Sequence, residues 1–448
     1  MSKTDSLRRG GFCAVIGSMA VLMVPMVVEA SSGDAASEVE EMDRLAIDEN
    51  QSIRAFDARI DESTREAEYH ETRWPEPMVE YMADVSAPWS PHLTTGHMIK
   101  VMQEVPMWGT RDAEGRPARA RAGVARHQQE VMTAGVLREL RLDVVALARI
   151  EARLELLEDE IGLIDDALGV VEAVAPLGDG DHGDFYQLEL ARETATDTRA
   201  KLRSDRRQRR AKMAARMGVE TSRVAAMDFS ADILEEWLVE VPPEEELMVM
   251  AHRGEPDLAR LGAEAAVADA QIDLVDDRRW PWPTLMAGYK NMPPMWEMDG
   301  PRDQMLQVGV SIRLPIFGDQ YDREASRWQA SRRAIELDRN QRRDDVRGEI
   351  EELMAGWETD RERLERHVRE LLPLATDLSE RVLIGMELGE RSASEFLLAL
   401  RQEIELEGRI IDIRAAQLER LMELQRLTGG RLGADEAWAY PAMYGGDQ

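Results

Sequence analysis

The chain carries its organising unit twice. Arg73-Trp74-Pro75-Glu76-Pro77 returns as Arg279-Trp280-Pro281-Trp282-Pro283, and Val105-Pro106-Met107-Trp108-Gly109 returns as Leu314-Pro315-Ile316-Phe317-Gly318. A long charged helical stretch follows each copy. Each stretch is broken by a glycine-rich turn, Gly178-Asp179-Gly180-Asp181 in the first half and Gly385 to Gly389 in the second. Beyond the turns come Asp184-Phe185-Tyr186-Gln187-Leu188 and Glu395-Phe396-Leu397-Leu398. Landmarks recurring in one order mean that a single supersecondary unit was duplicated, and such a unit buries its apolar face against its neighbour. Each half therefore reads as helix, strand pair, long helix, turn and return helix.

The strand pairs declare themselves by alternation with a period of two. Val79, Tyr81, Ala83 and Val85 alternate with Met78, Glu80, Met82 and Asp84, and in the partner strand Ile99, Val101 and Val105 alternate with Lys100 and Glu104. In the second half Leu306, Val308, Val310, Ile312 and Leu314 alternate with Gln307, Gly309, Ser311 and Arg313. A strand between lipid and water requires this apolar-out, polar-in pattern. A half-buried hairpin of a soluble protein requires it too, so the pattern alone leaves both open. Two hairpins per chain cannot close a barrel, and open edges are not tolerated in lipid; a membrane reading therefore demands several chains. Trp74, Trp89, Trp108, Trp280, Trp282 and Trp296 gather around the hairpins. Tryptophan at strand ends suits a headgroup zone, and it equally suits a packed domain junction.

The helices carry coiled-coil spacing. Leu147, Ile150, Leu154, Leu157, Ile161, Ile164, Leu168 and Val171 recur three and four apart, as do Leu364, Val368, Leu371, Ala375, Leu378 and Val382. Sustained a and d positions between charges produce knobs-into-holes pairing. Outgoing helices on the order of 90 Å long are far longer than a compact domain needs.

Charge and leader narrow the function classes. A net charge of -31 repels nucleic acid, which removes DNA and RNA as partners. Lys3, Arg8 and Arg9 precede an apolar stretch from Phe12 to Val28, and Val28-Glu29-Ala30 has the form of a signal-peptidase site, so residues 1–30 read as an export signal; an uncleaved anchor is the alternative, and both imply export. The one cysteine, Cys13, lies in this leader, which leaves the mature chain without disulfide or thiolate chemistry. No apolar run after residue 30 is long enough for a transmembrane helix. Metalloprotease, Walker-type and nucleophile-elbow motifs are missing, so the chain is expected to be no enzyme and to need no cofactor.

Together these residues resemble the TolC-like outer-membrane efflux proteins across nearly the whole mature chain. The second half carries most of the likeness: Pro256-Asp257-Leu258 with the alanine-rich helix to Asp277, the Pro281 to Pro283 approach to the strand, Val308-Gly309-Val310-Ser311-Ile312-Arg313-Leu314-Pro315-Ile316-Phe317-Gly318, Leu371-Leu372-Pro373 and Leu427-Thr428-Gly429. The resemblance implies a mainly α protein with β-hairpins. In it three copies would form a twelve-stranded outer-membrane β-barrel above a long α-helical coiled-coil periplasmic tunnel. It also implies the partners: a periplasmic adaptor protein and an inner-membrane pump, alongside outer-membrane lipid. A periplasmic coiled-coil adaptor or scaffold is the rival reading; it would normally carry a single long hairpin rather than a duplicated unit.

The expected organisation is a signal at 1–30, a first repeat at 31–217 (hairpin about 77–107, helices about 111–217) and a linking, equatorial segment at 218–256. A second repeat spans 257–429 (hairpin about 283–315, helices about 320–428), before a tail at 430–448. The two glycine-rich turns would lie at the periplasmic tip, where the tunnel narrows and the adaptor docks. There Asp179, Asp181 and Asp184 of one turn and Glu387, Glu390 and Glu395 of the other would form carboxylate rings on trimerisation, unless they are ordinary solvated turn acids. Gly178, Gly180, Gly385 and Gly389 would serve turn geometry. Methionine is abundant, with 25 residues, and Met292, Met295 and Met298 cluster in the expected second hairpin loop while Met78, Met82, Met98 and Met102 sit in the first hairpin. Thioether sulfur suits Cu(I) or Ag(I) and would point to the heavy-metal branch of the family; the plain alternative is methionine as adaptable apolar filler. His92 and His97 share the first hairpin loop as weak metal candidates or exposed loop residues.

Overall fold

The computed structural model describes residues 32–85, 94–107, 109–174, 182–280, 282–292, 303–314 and 319–430. The duplication is plain in the order of elements. The first half runs α1 (Ser32–Glu49), α2 (Gln51–Thr72), β1 (Met78–Val85), β2 (Thr94–Glu104), α3 (Thr110–Val174) and α4 (His182–Met217). Three short helices follow, α5 (Thr221–Ala225), α6 (Ile233–Glu236) and α7 (Glu244–Gly254). The second half runs α8 (Pro256–Asp277), β3 (Pro283–Met292), β4 (Asp303–Ile312), α9 (Asp319–Arg366), α10 (Leu372–Glu387) and α11 (Ala393–Leu427). Counterparts match closely: α2 and α8 have 22 residues each, and α4 and α11 have 36 and 35.

Both halves use one joint. Asn50 caps α2 by accepting from the Ser52 and Ile53 amides, and its side-chain amide donates to the Arg216 carbonyl at the end of α4, 2.7 Å away. In the second half Glu255 caps α8 by accepting from the Leu258 amide at 2.6 Å. The return helices end on glycines with positive φ, Gly218 at 76° and Gly429 at 70°. A Cβ on Gly218 would meet the Glu49 carbonyl oxygen at 2.8 Å, and one on Gly429 would meet the Gly254 carbon at 3.1 Å. Glycine is required at both places because backbone approaches backbone while the chain turns left-handed.

The main core lies where these joints meet. Met42, Leu137, Leu140, Val144, Leu147, Met213, Met217, Phe229, Trp237, Leu247, Val346, Leu418, Leu421 and Leu427 share one buried cluster, so the segment between the halves packs around the helix bundle. A second cluster at the far end joins Ile164 and Leu168 of α3, Leu188 of α4, Met386 of α10, and Phe396 and Leu400 of α11. At 65 residues α3 spans about 100 Å.

The outgoing helix of the second half is interrupted. His367–Leu371 forms a π-helical turn between α9 and α10, with the Leu372 amide donating to the His367 carbonyl five residues back. Pro373 follows at the start of α10. Proline has no N–H to donate and its ring crowds the preceding turn, and one wider turn accommodates both.

Candidate functional site

The four strands form one antiparallel sheet in the order β1-β2-β3-β4. The central pairing, β2 with β3, joins the two halves of the chain. Register places Val79, Val101, Ala287 and Val308 in one row and Tyr81, Ile99, Tyr289 and Leu306 in the next on the same face. Val310 and Leu285 continue that face, which is largely bare in the single chain; Val308 is 81% exposed.

Among the described side chains every charged residue of the strands lies on the other face. Glu80, Lys100, Glu104, Lys290 and Asp303 share the parity of Met78, Met102 and Met286. Lys100 and Glu80 form an ion pair at 3.2 Å. Charge confined to one side of a sheet suits a boundary between water and an apolar medium, whether lipid or a packed protein face. Strands of 8 to 11 residues match the thickness of a bilayer core, about 9–11 tilted residues. The sheet ends at β1 and β4, each with one side unpaired, so it is open at both edges in one chain. Trp74 and Trp280 stand exposed just before β1 and β3, and the Arg111 guanidinium covers the Trp74 ring at 5.1 Å. Among the described residues no helix is long and apolar enough to cross a membrane.

At the opposite end, the α10–α11 turn is held by its own backbone. Gly389 adopts a φ of 73°, and the Glu390 amide donates to the Gly385 carbonyl at 2.8 Å. A Cβ on Gly385 would meet the Arg391 side chain at 2.6 Å. Ser392 and Glu395 form a reciprocal capping box at the start of α11, and Arg391 pairs with Glu395 at 3.1 Å. The Glu395 carboxylate is thus engaged locally, whereas Glu387 and Glu390 are exposed. Asp184 lies in the first turn of α4, where the helix dipole favours a negative charge. Leu188, Met386 and Phe396 pack in one cluster, so the first turns of α4 meet the α10–α11 turn at one end of the molecule. Gly178, Asp179, Gly180 and Asp181 lie outside the described residues.

Of the candidate metal ligands, Met292 is the last residue of β3 rather than a loop residue, and Met295 and Met298 lie outside the described residues, as does His92. His97 belongs to β2, where its Nδ1 lies 2.7 Å from the Tyr81 hydroxyl. Among the described residues no group of three or more His, Cys, Asp or Glu side chains is placed to hold a metal ion.

Sequence reasoning did not anticipate a buried ionic cluster in the main core. Arg141 of α3 donates to Asp43 of α1 at 2.7 Å and to Gln425 of α11 at 3.0 Å, with the Arg and Asp side chains only 3% and 2% exposed. Burial pushes the Asp43 carboxyl above its ordinary range, and the Arg141 charge opposes that. Asp143 accepts from Arg209 and Arg216 of α4. In sequence these charges are indistinguishable from a solvated helix face.

No protein-family model and no curated protein matches the chain. Several solved structures do. The chain is 14% identical to CusC, a structure described in terms of folding and transmembrane channel formation, with 88% of this chain and 92% of that one covered and a TM-score of 0.71. It is 13% identical to the outer-membrane protein VceC of Vibrio cholerae, covering 88% and 96% at a TM-score of 0.68. It is also 13% identical to the MtrE outer-membrane channel of Neisseria gonorrhoeae in its open state, covering 88% and 89% at 0.66. At these identities the likeness establishes a common fold: long helices carrying a small sheet at one end.

Proposed function

We propose that this chain is one subunit of a TolC-like outer-membrane channel, a passive exit duct and not an enzyme. Three copies join β4 of one sheet to β1 of the next and close a twelve-stranded barrel. Their helices continue as a tunnel across the periplasm, where an adaptor protein couples it to an inner-membrane pump. The observation that carries this reading is the open-edged sheet with every described strand charge on one face. Four strands are too few to enclose anything, since about eight are needed for the smallest filled barrel. An uncharged face of bilayer height has no use in a free-standing periplasmic protein.

The fold shared with the outer-membrane proteins VceC and MtrE, and with the transmembrane channel CusC, supports an outer-membrane location. The rival scaffold reading has no use for such a face. The tip is the gate and the adaptor contact in this proposal. Asp184, Glu387 and Glu390 line the narrowing, while Glu395 acts there as a helix cap.

The test is the assembly state of the purified mature chain. A trimer that needs detergent and conducts ions across a planar bilayer is expected. A monomer that stays soluble without detergent overturns the proposal. Val308→Lys puts a charge on the uncharged face and is expected to destabilise the inserted barrel by about 2–4 kcal/mol, visible as loss of the heat-resistant trimer.

A further inference from the structure

The strands contain seven methionines, and all seven lie on the charged face of the sheet. Met78, Met102 and Met286 stand side by side on β1, β2 and β3. Met82 and Met98 form the next pair of thioethers along the strands, in a row that continues through Lys290 to Met305 on β4. Met292, opposite Asp303, closes the series at the end away from the helices. The opposite face, where apolar side chains are wanted, has none.

That distribution runs against the filler explanation. Methionine fills irregular gaps in packed interiors, but Met78 is 62% exposed and Met305 51%. A wall facing water gains nothing from apolar side chains unless their sulfur is used. Neighbouring strands hold facing Cβ atoms about 4.5–5.5 Å apart, close enough for two or three flexible thioethers to converge on one ion. The glycine at position 309 keeps the wall low beside Met286: a Cβ there would lie 3.1 and 3.3 Å from the Met286 Cγ and Sδ. The Lys100 charge beside the first row is offset by Glu80.

We propose that this face is a thioether ladder for soft monovalent cations, Cu(I) or Ag(I), which pass along the barrel wall by ligand exchange. The proposal rests on the channel reading, which turns the charged face inward, and it assigns that channel a substrate class. Thioethers select soft metals over Zn(II) or Mg(II). Successive rows four residues apart stand about 13 Å from each other along the strand, so the ion leaves one site before reaching the next. Several weak sites in series are what conduction needs.

Silver nitrate in chloride-free buffer is the probe, because Ag(I) is not oxidised during the measurement. Binding to the full-length detergent-solubilised protein is measured by equilibrium dialysis, with native mass spectrometry on the same samples. The wild-type chain is expected to bind Ag(I) and not Zn(II). Replacing all seven strand methionines by leucine is expected to weaken Ag(I) binding on the order of a hundredfold. Met78→Leu with Met102→Leu and Met286→Leu alone is expected to remove one class of site, and this smaller variant serves if the sevenfold one does not fold. Met132→Leu with Met354→Leu, on the helices, is expected to leave binding unchanged. Equal Ag(I) binding by wild type and the row variant, with trimers intact, overturns the ladder and leaves the channel standing. A monomeric mass without detergent overturns the channel reading itself.

Discussion

The two outgoing helices descend from one ancestral unit and do opposite work. In the first half α3 is the hub: it packs against α2, α4, α8 and α11 and buries Leu137, Leu140, Val144, Val145, Leu147 and Ala148 in the main core. Its counterpart α9 buries only Ala325, Val346, Ile350 and Asp360 along 48 residues. Farther on, Leu374 is 69% exposed, and Val368 and Leu378 are also open to solvent. The second outgoing stretch matches the reach of α3 only when α9, the π-helical turn and α10 are taken together, and both stretches carry heptad spacing; what differs is the number of neighbours. The lesson is that the single chain is packed around α3 and leaves an apolar stripe open along α9 and α10.

Arg141→Ala should break the hub most severely. It leaves Asp43 buried without its partner, which costs about 3–5 kcal/mol and is read as a lowered unfolding midpoint. Arg369→Ala in the π-helical turn removes an exposed pair with Glu365 and should change stability by no more than about 0.5 kcal/mol. Leu147→Ala is expected to cost about 2–5 kcal/mol through the cavity it opens, whereas Leu337→Ala on α9 should stay within about 0.5 kcal/mol. Equal effects at these two leucines would erase the contrast.

Leu374→Asp should spare the fold of the chain, as judged by its far-ultraviolet dichroism, and weaken the proposed trimer by about 1–3 kcal/mol per subunit, the value of one buried leucine. An unaffected trimer would mean that α10 faces water in the assembly. Gly389→Ala, at a φ of 73°, should cost about 1–2 kcal/mol and loosen the second tip, detectable as faster proteolysis between α10 and α11.

The smallest effect is with pH. Burial pushes the carboxyls of Glu160 on α3 and Glu407 on α11 above their ordinary value of 4.5, with Arg401 opposing the shift at Glu160 and Glu403 and Asp159 adding to it at Glu407. The folded chain therefore holds these protons more tightly than the unfolded one. Their contribution to stability is complete below 4.5 and fades as pH rises through the raised values. Glu160→Gln should flatten the decline of the thermal midpoint above that pH.

Much of the fold was legible because its signals are local. A period of two in Val79 to Val85 and Leu306 to Leu314 marked the strands and their faces, and three-four spacing from Leu147 to Val171 marked the hub helix. The same spacing from Leu364 to Val382 was equally clear, yet Val368 and Leu378 are exposed, because a heptad records a wish for a partner and not its identity. Glu395 stood among the tip acids, and its spacing from Ser392 is the capping-box signal that could have identified its engagement beforehand. Asp43, Arg141 and Asp143 carried no local signal at all.

By itself the sequence determined a duplicated helix–hairpin–helix unit, its strand faces and its long helices, since each is marked by a local pattern. Only the tertiary structure decided that Met286 and Met305 join the methionines of the first hairpin, and that α3 rather than α9 occupies the centre. Alternation places a side chain on one side of its own strand. Which row it enters depends on pairing β2 with β3, a contact between distant parts of the chain that no periodicity encodes.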